Sequence, residues 1–400
     1  MKILHTADWH LGDHLGTIDR TDDQFRSLRQ IMAYCDDHQV DVLVVAGDVI
    51  EQYHGESLAA LVRRLAELLH PQLKRGMRAL FIPGNHDREH LFSLVETVQS
   101  LTGPEEARRL QFVGRPRRLE YQDRDGRVRV QFVLAPYPTA HRYLPGDAGL
   151  RSLSGAEKRQ ALARAYAAKV AAAQRELDPR LPAVLVAHVC VRGAETSTLF
   201  RMSEAEEIVV ESGDLPAWSY VALGHIHKAQ AVGGRPNVRY AGSIDRLDAG
   251  ECHDDKSCVL LEIGPEGLAG EPELLLLPAT RIYPVEVTGD VDVEELERRY
   301  PDHREALVSL RVAWRQGIDN PHALINRLQE FFPRVYRLDP RPLDEPGGIA
   351  ATGADARDVA GMVRSYLQSK LANLPDDARA RLLGLAADLV EEVQHAAAAR

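Results

Sequence analysis

The chain has 400 residues, with 49 Lys plus Arg against 59 Asp plus Glu, a net charge of −10, and 44% hydrophobic but only 6% aromatic residues. That length exceeds one ordinary core, so two or three folding units are expected, and the composition excludes a disordered, fibrous or membrane-embedded protein. The acidic balance also excludes a general polyanion binder: nucleic-acid contact has to come from local patches, metal ions or a partner.

The chain opens Met1-Lys2-Ile3-Leu4-His5, without the apolar core of a signal peptide, and its longest apolar runs are of strand length, so a cytoplasmic protein with no membrane segment is expected. Apolar runs at 3–7, 42–46, 79–83, 128–135, 183–187 and 220–223 read as strands. Amphipathic stretches at 22–38 and 56–69 read as helices between the first three, a β-α-β-α-β order that signals an α/β sheet. An Ala-rich helix is expected over 156–177. Short strands follow at 238–241, 257–263 and 274–277, and the first domain, 1–280, ends near Pro278-Ala279-Thr280.

From Arg281 the rhythm changes to strand 282–287, helix 291–300, strand 306–312, helix 321–332 and strand 335–338, a small α+β unit over 281–345. Pro346, Gly347, Gly348 and Gly353 mark a linker over 346–355. Two helices are expected in 356–400, broken at Pro375. Their apolar faces, Val359, Met362, Val363, Tyr366 and Leu367 on the first, either pack on the main body or wait for a partner.

Five polar clusters sit where predicted strands end, the place where ligands gather in open α/β sheets. They are Asp8-Trp9-His10, Gly47-Asp48, Gly84-Asn85-His86-Asp87, His188 and Gly224-His225-Ile226-His227. With 16 histidines, a His-x-His pair arises by chance roughly 0.6 times, so His225 and His227 alone signify little. Gly-Asn-His-Asp is expected roughly 0.001 times and is the strongest single signal. Each piece alone has an ordinary reading: Asp8 or Asp48 as a cap, Asn85 in a left-handed turn, His188 as a satisfied core histidine. Five such pieces, all O or N donors after apolar strands, point instead to first-row divalent metals. Phosphate-ester hydrolysis needs a nucleophile at neutral pH, neutralised phosphoryl oxygens and a protonated leaving group, and two metal ions supply the first two. Mixed His, Asp and Asn ligation suits Mn²⁺, Fe²⁺ or Zn²⁺ better than Mg²⁺.

These clusters, in this order, resemble the calcineurin-like metallophosphoesterase superfamily. Within it, the opening Met1-Lys2-Ile3-Leu4-His5-Thr6-Ala7-Asp8-Trp9-His10-Leu11-Gly12 resembles the SbcD-type DNA-repair exonucleases, the nuclease subunits of SbcCD complexes. The likeness continues through His188, Gly193-Ala194, Gly224-His225-Ile226-His227 and Tyr240-Ala241-Gly242-Ser243. It implies a layered α-β-β-α metallophosphoesterase fold, a small α+β capping domain that contacts DNA, and a C-terminal helical pair that binds an SMC-like ATPase of the SbcC type. It further implies that Asp8, His10, Asp48 and His227 hold one metal and that Asp48, Asn85, His188 and His225 hold the other, with Mn²⁺ the expected ion. His86 is then the general acid, or the group stabilising the transition state, at the leaving 3′ oxygen. Asp87 orients its surroundings. A homodimer through the helices near 22–38 or 56–69, and a nucleoid-associated enzyme acting at DNA double-strand breaks as an exonuclease or single-strand endonuclease, complete the expectation.

One departure stands out: some relatives have a His three residues after the bridging Asp, where this chain has Glu51. His54 lies a turn further on, and an acid facing a phosphate is unfavourable without a metal or a proton. Arg115, Arg117, Arg118 and Lys74, Arg75, Arg78 form basic groups that read first as solvated faces. Cys35, Cys190, Cys252 and Cys258 form no disulfide framework, and Cys252, His253 and Cys258 have the wrong spacing for structural zinc. Two other functions fit the same residues less well: a phosphoesterase for small mono- or diesters, and a scaffold that regulates an ATPase.

Overall fold

The computed structural model describes residues 1–51, 55–99, 101, 109–123, 125–126, 128–146, 152–195, 207–215, 217–289, 291–314, 320–343 and 382–385. The apolar runs become the parallel strands Lys2–Thr6, Val42–Ala46, Arg78–Ile82 and Leu110–Phe112, with Ile3 opposite Val42 and Val44 opposite Leu80. Ser257–Gly264 runs antiparallel beside Lys2–Thr6, and with Gly267–Leu268 and Glu273–Leu276 it brings this sheet to seven strands among the described residues. Leu4, Leu43, Val45 and Phe81 pack with the helices Thr21–Asp37 and Gly55–Lys74 on one face. Ile3, Val42, Val44, Leu80 and Ile82 pack with Phe132, Leu134, Val184 and Tyr220 of a second sheet on the other. Burial on both faces is why these strands read as unbroken apolar runs rather than as alternation.

The second sheet has six strands, ordered Gln230–Val232, Arg235–Tyr240, Tyr220–Gly224, Ala183–His188, Arg129–Ala135, Arg117–Gln122. Its outer face carries the helix Gly155–Arg175, whose Tyr166 and Val170 meet Val133, Leu185 and Val221. Helix, sheet, sheet, helix is the expected layering. His5 ties the sheets together: its ring nitrogens lie 3.1 Å from the Tyr220 hydroxyl and 3.1 Å from the Leu223 carbonyl, and burial pushes its pKa down to about 3. It is a neutral core histidine.

The sequence places the end of the second helix at residue 69. The helix nevertheless runs to Lys74, and Gln72 anchors its last turn by donating to the Met32 carbonyl and to Asp36 Oδ2 at 2.8 Å. The helix Glu89–Gln99 and the strand Arg117–Gln122 lie outside the sequence expectation: the helix has Leu94 and Val98 exposed, and the strand has only Leu119 and Tyr121 as apolar residues. The four cysteines are free, and among the described residues Cys252, His253 and Cys258 form no donor group. Among them, too, no helix is long and apolar enough to cross a membrane.

The α+β unit forms as expected. Ile282–Thr288 and Leu307–Trp314 pair in parallel, Val335–Pro342 completes the sheet, and Val293–Arg299 and Pro321–Phe331 are its helices. It has its own core of Val285, Val308, Leu310, Leu328 and Phe332. This region belongs to the compact unit Met1–Arg341, and Pro342–Arg400 forms a second unit. The linker and helical pair expected over 346–400 lie outside the described residues, except for one helical turn at 382–385.

An ion network joins the α+β region to the layers. Fully buried Arg20 donates to Asp23 at 2.9 Å and Asp245 at 2.8 Å, while Arg334 reaches Asp23 at 2.5 Å and Asp245 accepts from Thr280, just before the α+β region. Arg20→Ala would leave the two buried carboxylates short of a partner, so a loss of about 3–5 kcal/mol is expected in urea denaturation, and a loss under about 1 kcal/mol would refute the network's structural role.

Candidate metal centre

The five clusters meet because their strands are neighbours in register, with the same ends directed at one cleft. Asp8 N–H donates to the Gly47 carbonyl at 3.0 Å, and His10 N–H to the Asp48 carbonyl at 2.9 Å. Asp87 accepts from Val49, Ile50 and Gly84 N–H at 2.9–3.1 Å, stapling the loop after Ala46 to the loop after Ile82. From the second sheet, His225 N–H donates to both Asp8 carboxylate oxygens at 3.0 and 3.1 Å. Asp8, His10, Asp48 and His225 all adopt positive φ, at 51°, 43°, 49° and 104°. Left-handed backbone at four non-glycine residues costs of order 1–3 kcal/mol each, strain of the kind held at functional sites.

The glycines beside them are a matter of space. A Cβ on Gly84 would sit 2.0 Å from Asp48 Oδ1, and one on Gly47, at φ +96°, would sit 2.1 Å from His188 Nδ1. No side chain fits where these donors converge.

Three sets of donor atoms lie within 4.8 Å of one another: Asp8, His10 and His227; His10, Asp48 and His86; Asp48, His188 and His225. Asn85 Oδ1 joins the last, 3.0 Å from His188 Nε2 and 2.9 Å from His225 Nδ1. All seven residues expected as ligands are thus in one cluster, with Asp48 common to two sets. His86, expected beside the metals and not on them, has its ring within ligand distance of His10 and Asp48, but its side chain is 44% exposed where that of His10 is 4% exposed.

The residues fit divalent cations. His10 Nε2 is buried with no hydrogen-bond partner, 3.7 Å from Asp48 Oδ2. Burial disfavours a charged His10 ring, yet Glu51, Asp48 and Asp8 outweigh it and raise its pKa to about 9. His188 is likewise raised to about 9 against burial, chiefly by Asp48 and Asp8. Two protons therefore sit where the carboxylates demand positive charge, and a bound cation would release them.

Each remaining histidine is turned by a partner that sequence spacing did not reveal. His188 Nδ1 donates to the Ala46 carbonyl at 2.7 Å; His225 Nε2 lies 3.0 Å from Glu207; His227 Nδ1 lies 2.9 Å from Glu251. Glu251 is buried, but His227 and Lys256, 2.6 Å away, hold its pKa down at about 2. Ser243 of the Tyr-Ala-Gly-Ser segment receives the Lys256 ammonium at 2.9 Å and donates its N–H to the His227 carbonyl, so that segment braces His227. Such partners set the tautomer and angle of a ligating imidazole. Asp87 behaves as expected, and burial together with Asp48 raises its pKa to about 6. His54 lies outside the described residues.

The cleft over the cluster has a volume of about 350 Å³, with Asp13, His14, Lys228, Leu247 and Asp248 beside the expected residues. The basic groups noted in the sequence are engaged locally: Arg117 with Glu96, Arg118 with the Glu176 carbonyl, Arg75 with Asp36, Arg78 with the Gln122 carbonyl.

The calcineurin-like phosphoesterase family profile matches residues 1–229. The SbcD subunit of nuclease SbcCD from Escherichia coli (strain K12) is 30% identical over 296 residues, covering 70% of this chain and 69% of that protein. Its namesake from Rhodobacter capsulatus is 30% identical over 287 residues, with 66% of each chain covered. That of Staphylococcus epidermidis is 22% identical over 373 residues, covering 92% of this chain and 93% of the other, so that similarity extends past the metal-site half.

Proposed function

Because the chain belongs to the calcineurin-like phosphoesterase family, in its SbcD nuclease-subunit branch, and is a metal-dependent phosphodiesterase, we propose that it hydrolyses DNA at ends with two divalent ions. It would do so as an exonuclease, with single-strand endonuclease activity from the same site. The observation that carries this reading is Asp48, whose carboxylate lies 3.3 Å from His188 Nε2 and 3.7 Å from His10 Nε2, with exposed His86 beside it. Asp8, His10, Asp48 and His227 would hold one ion and Asp48, Asn85, His188 and His225 the other, and the mixed donor set favours Mn²⁺. When bound, the ions would neutralise the phosphoryl oxygens and lower the pKa of water.

The chain's own residues do the rest. His86 Nδ1 lies 2.9 Å from Glu51, and that hydrogen bond raises the His86 pKa. With Nδ1 committed to Glu51, the proton for the leaving 3′ oxygen comes from Nε2. His86 N–H donates to Asp48 Oδ1 at 2.9 Å, which fixes the distance between proton donor and metal cluster.

The remaining assignments belong to the same reading: 1–280 as nuclease domain, 281–345 as a DNA-contacting cap, and 346–355 as linker. The 356–400 segment would bind an SMC-like ATPase of the SbcC type, in a cytoplasmic, nucleoid-associated complex that acts in double-strand-break repair. Homodimer formation is supported by exposed Val62 on the Gly55–Lys74 helix and Leu94 and Val98 on the Glu89–Gln99 helix. The Thr21–Asp37 helix, an alternative dimer face in the sequence reading, spends Phe25, Leu28, Ile31 and Met32 on the core.

The test is a Mn²⁺-dependent assay on 3′- and 5′-end-labelled DNA, with and without chelator and ATPase partner, beside p-nitrophenyl phosphate esters. Mn²⁺-dependent cleavage of DNA is expected, and a chain truncated after Gly353 should retain it. Activity on the esters alone would reject the nuclease, and loss of all activity on truncation would favour the scaffold.

A further inference from the structure

We propose that Glu51 is a positioning residue shared by the metal site and the proton donor: its single oxygen Oε2 lies 3.1 Å from His10 Nδ1 and 2.9 Å from His86 Nδ1. The inference rests on the roles assigned above to those two histidines. The acid that stands three residues after Asp48 is turned onto two imidazoles.

The backbone makes this placement firm. Glu51 N–H donates to the Leu11 carbonyl at 3.0 Å, Ile50 is bridged to Leu11, and Asp87 takes the N–H groups of Val49 and Ile50. Glu51 is therefore clamped to Leu11, the residue after His10, and beside the loop that carries His86. A neutral imidazole has one N–H, and a carboxylate that takes it at Nδ1 leaves the Nε2 lone pair for a cation. At His10 that Nε2 is the buried atom lacking a partner. The same oxygen sets the His86 ring edge-on to His10, with centroids 4.8 Å apart and planes at 76°. Since one oxygen serves both rings, a change in one hydrogen bond is transmitted to the other. Glu207 and Glu251 each serve only one of the expected ligands.

The test uses the full chain with Glu51→Ala and Glu51→Gln, alone and combined with His86→Ala. Mn²⁺ titration calorimetry on metal-free protein, which needs no turnover, should show affinity about 10–100-fold lower in Glu51→Ala, and a smaller loss in Glu51→Gln, whose neutral amide oxygen still accepts from the rings, more weakly. At saturating Mn²⁺, kcat on DNA should fall with KM within about twofold of wild type. In the His86→Ala background, the Glu51 substitution should cost no further kcat but still weaken Mn²⁺ binding. Wild-type affinity and kcat in both Glu51 variants would overturn the proposal, as would an undiminished kcat loss without His86. If thermal melting shows Glu51→Ala unfolded, Glu51→Gln decides by the same criteria. A wild-type chain that binds Mn²⁺ but cuts no DNA would refute the nuclease reading, while the calorimetric outcome would still judge Glu51.

Discussion

His86→Ala should keep the wild-type metal content and lose about 10²–10⁴-fold in turnover on DNA, the range a positioned general acid supplies. The imidazole is exposed, held by Glu51 at 2.9 Å, and its backbone N–H is what Asp48 accepts, so truncation leaves that contact in place. Elemental analysis of the variant is the first check. The His86 ring lies within ligand distance of His10 and Asp48, so a drop in bound metal would move His86 from proton donor to ligand and sink this division of roles. The second check is the leaving group. A p-nitrophenolate departs without a proton, so the defect should shrink several-fold on a p-nitrophenyl nucleotide diester. An equal defect on both substrates would argue that His86 stabilises phosphoryl charge instead.

Asp48→Ala should be the more complete loss. Asp48 Oδ2 lies 3.3 Å from His188 Nε2 and 3.7 Å from His10 Nε2, one on each side of the cluster, and its carboxylate is almost fully buried. Burial alone would raise its pKa, but His188 and His10 hold it well below the usual carboxylate range, so it is an anion before any cation arrives. Removing it takes a donor from both sets at once. Metal content should fall at both positions, and activity at fixed Mn²⁺ should fall at least about 10³-fold, equivalent to ~4 kcal/mol of transition-state stabilisation. The fold should survive, because His10 and His188, raised to about 9 with Asp48 present, can lose their protons when it is gone. Two metals per chain in Asp48→Ala would refute its bridging position.

How much of this was legible beforehand differs by element. Strands 42–46 and 183–187 were readable because both faces are buried and only apolar residues satisfy them. The Arg117–Gln122 edge strand was not, since Arg117, Arg118, Glu120 and Gln122 are exposed and polar on the rim of the sheet. The last turn of the Gly55–Lys74 helix was not legible either, since Gln72 secures it through Met32 and Asp36, contacts set by packing. At the site, Asn85, His86 and Asp87 announced themselves by rarity and by following a strand, and Glu51 was noticed only as a departure from a pattern.

The sequence by itself determined the α/β class and the order of the clusters, because apolar strands ending in Asp, His and Asn are a local pattern that survives in one dimension. Only the tertiary structure decided that Glu207 and Glu251 lie against His225 and His227 and that Glu51 faces two imidazoles. The physical reason is range. A hydrogen bond across 24 residues, as from His227 to Glu251, or across 41, as from His10 to Glu51, is set by sheet packing and leaves no spacing in the chain to read.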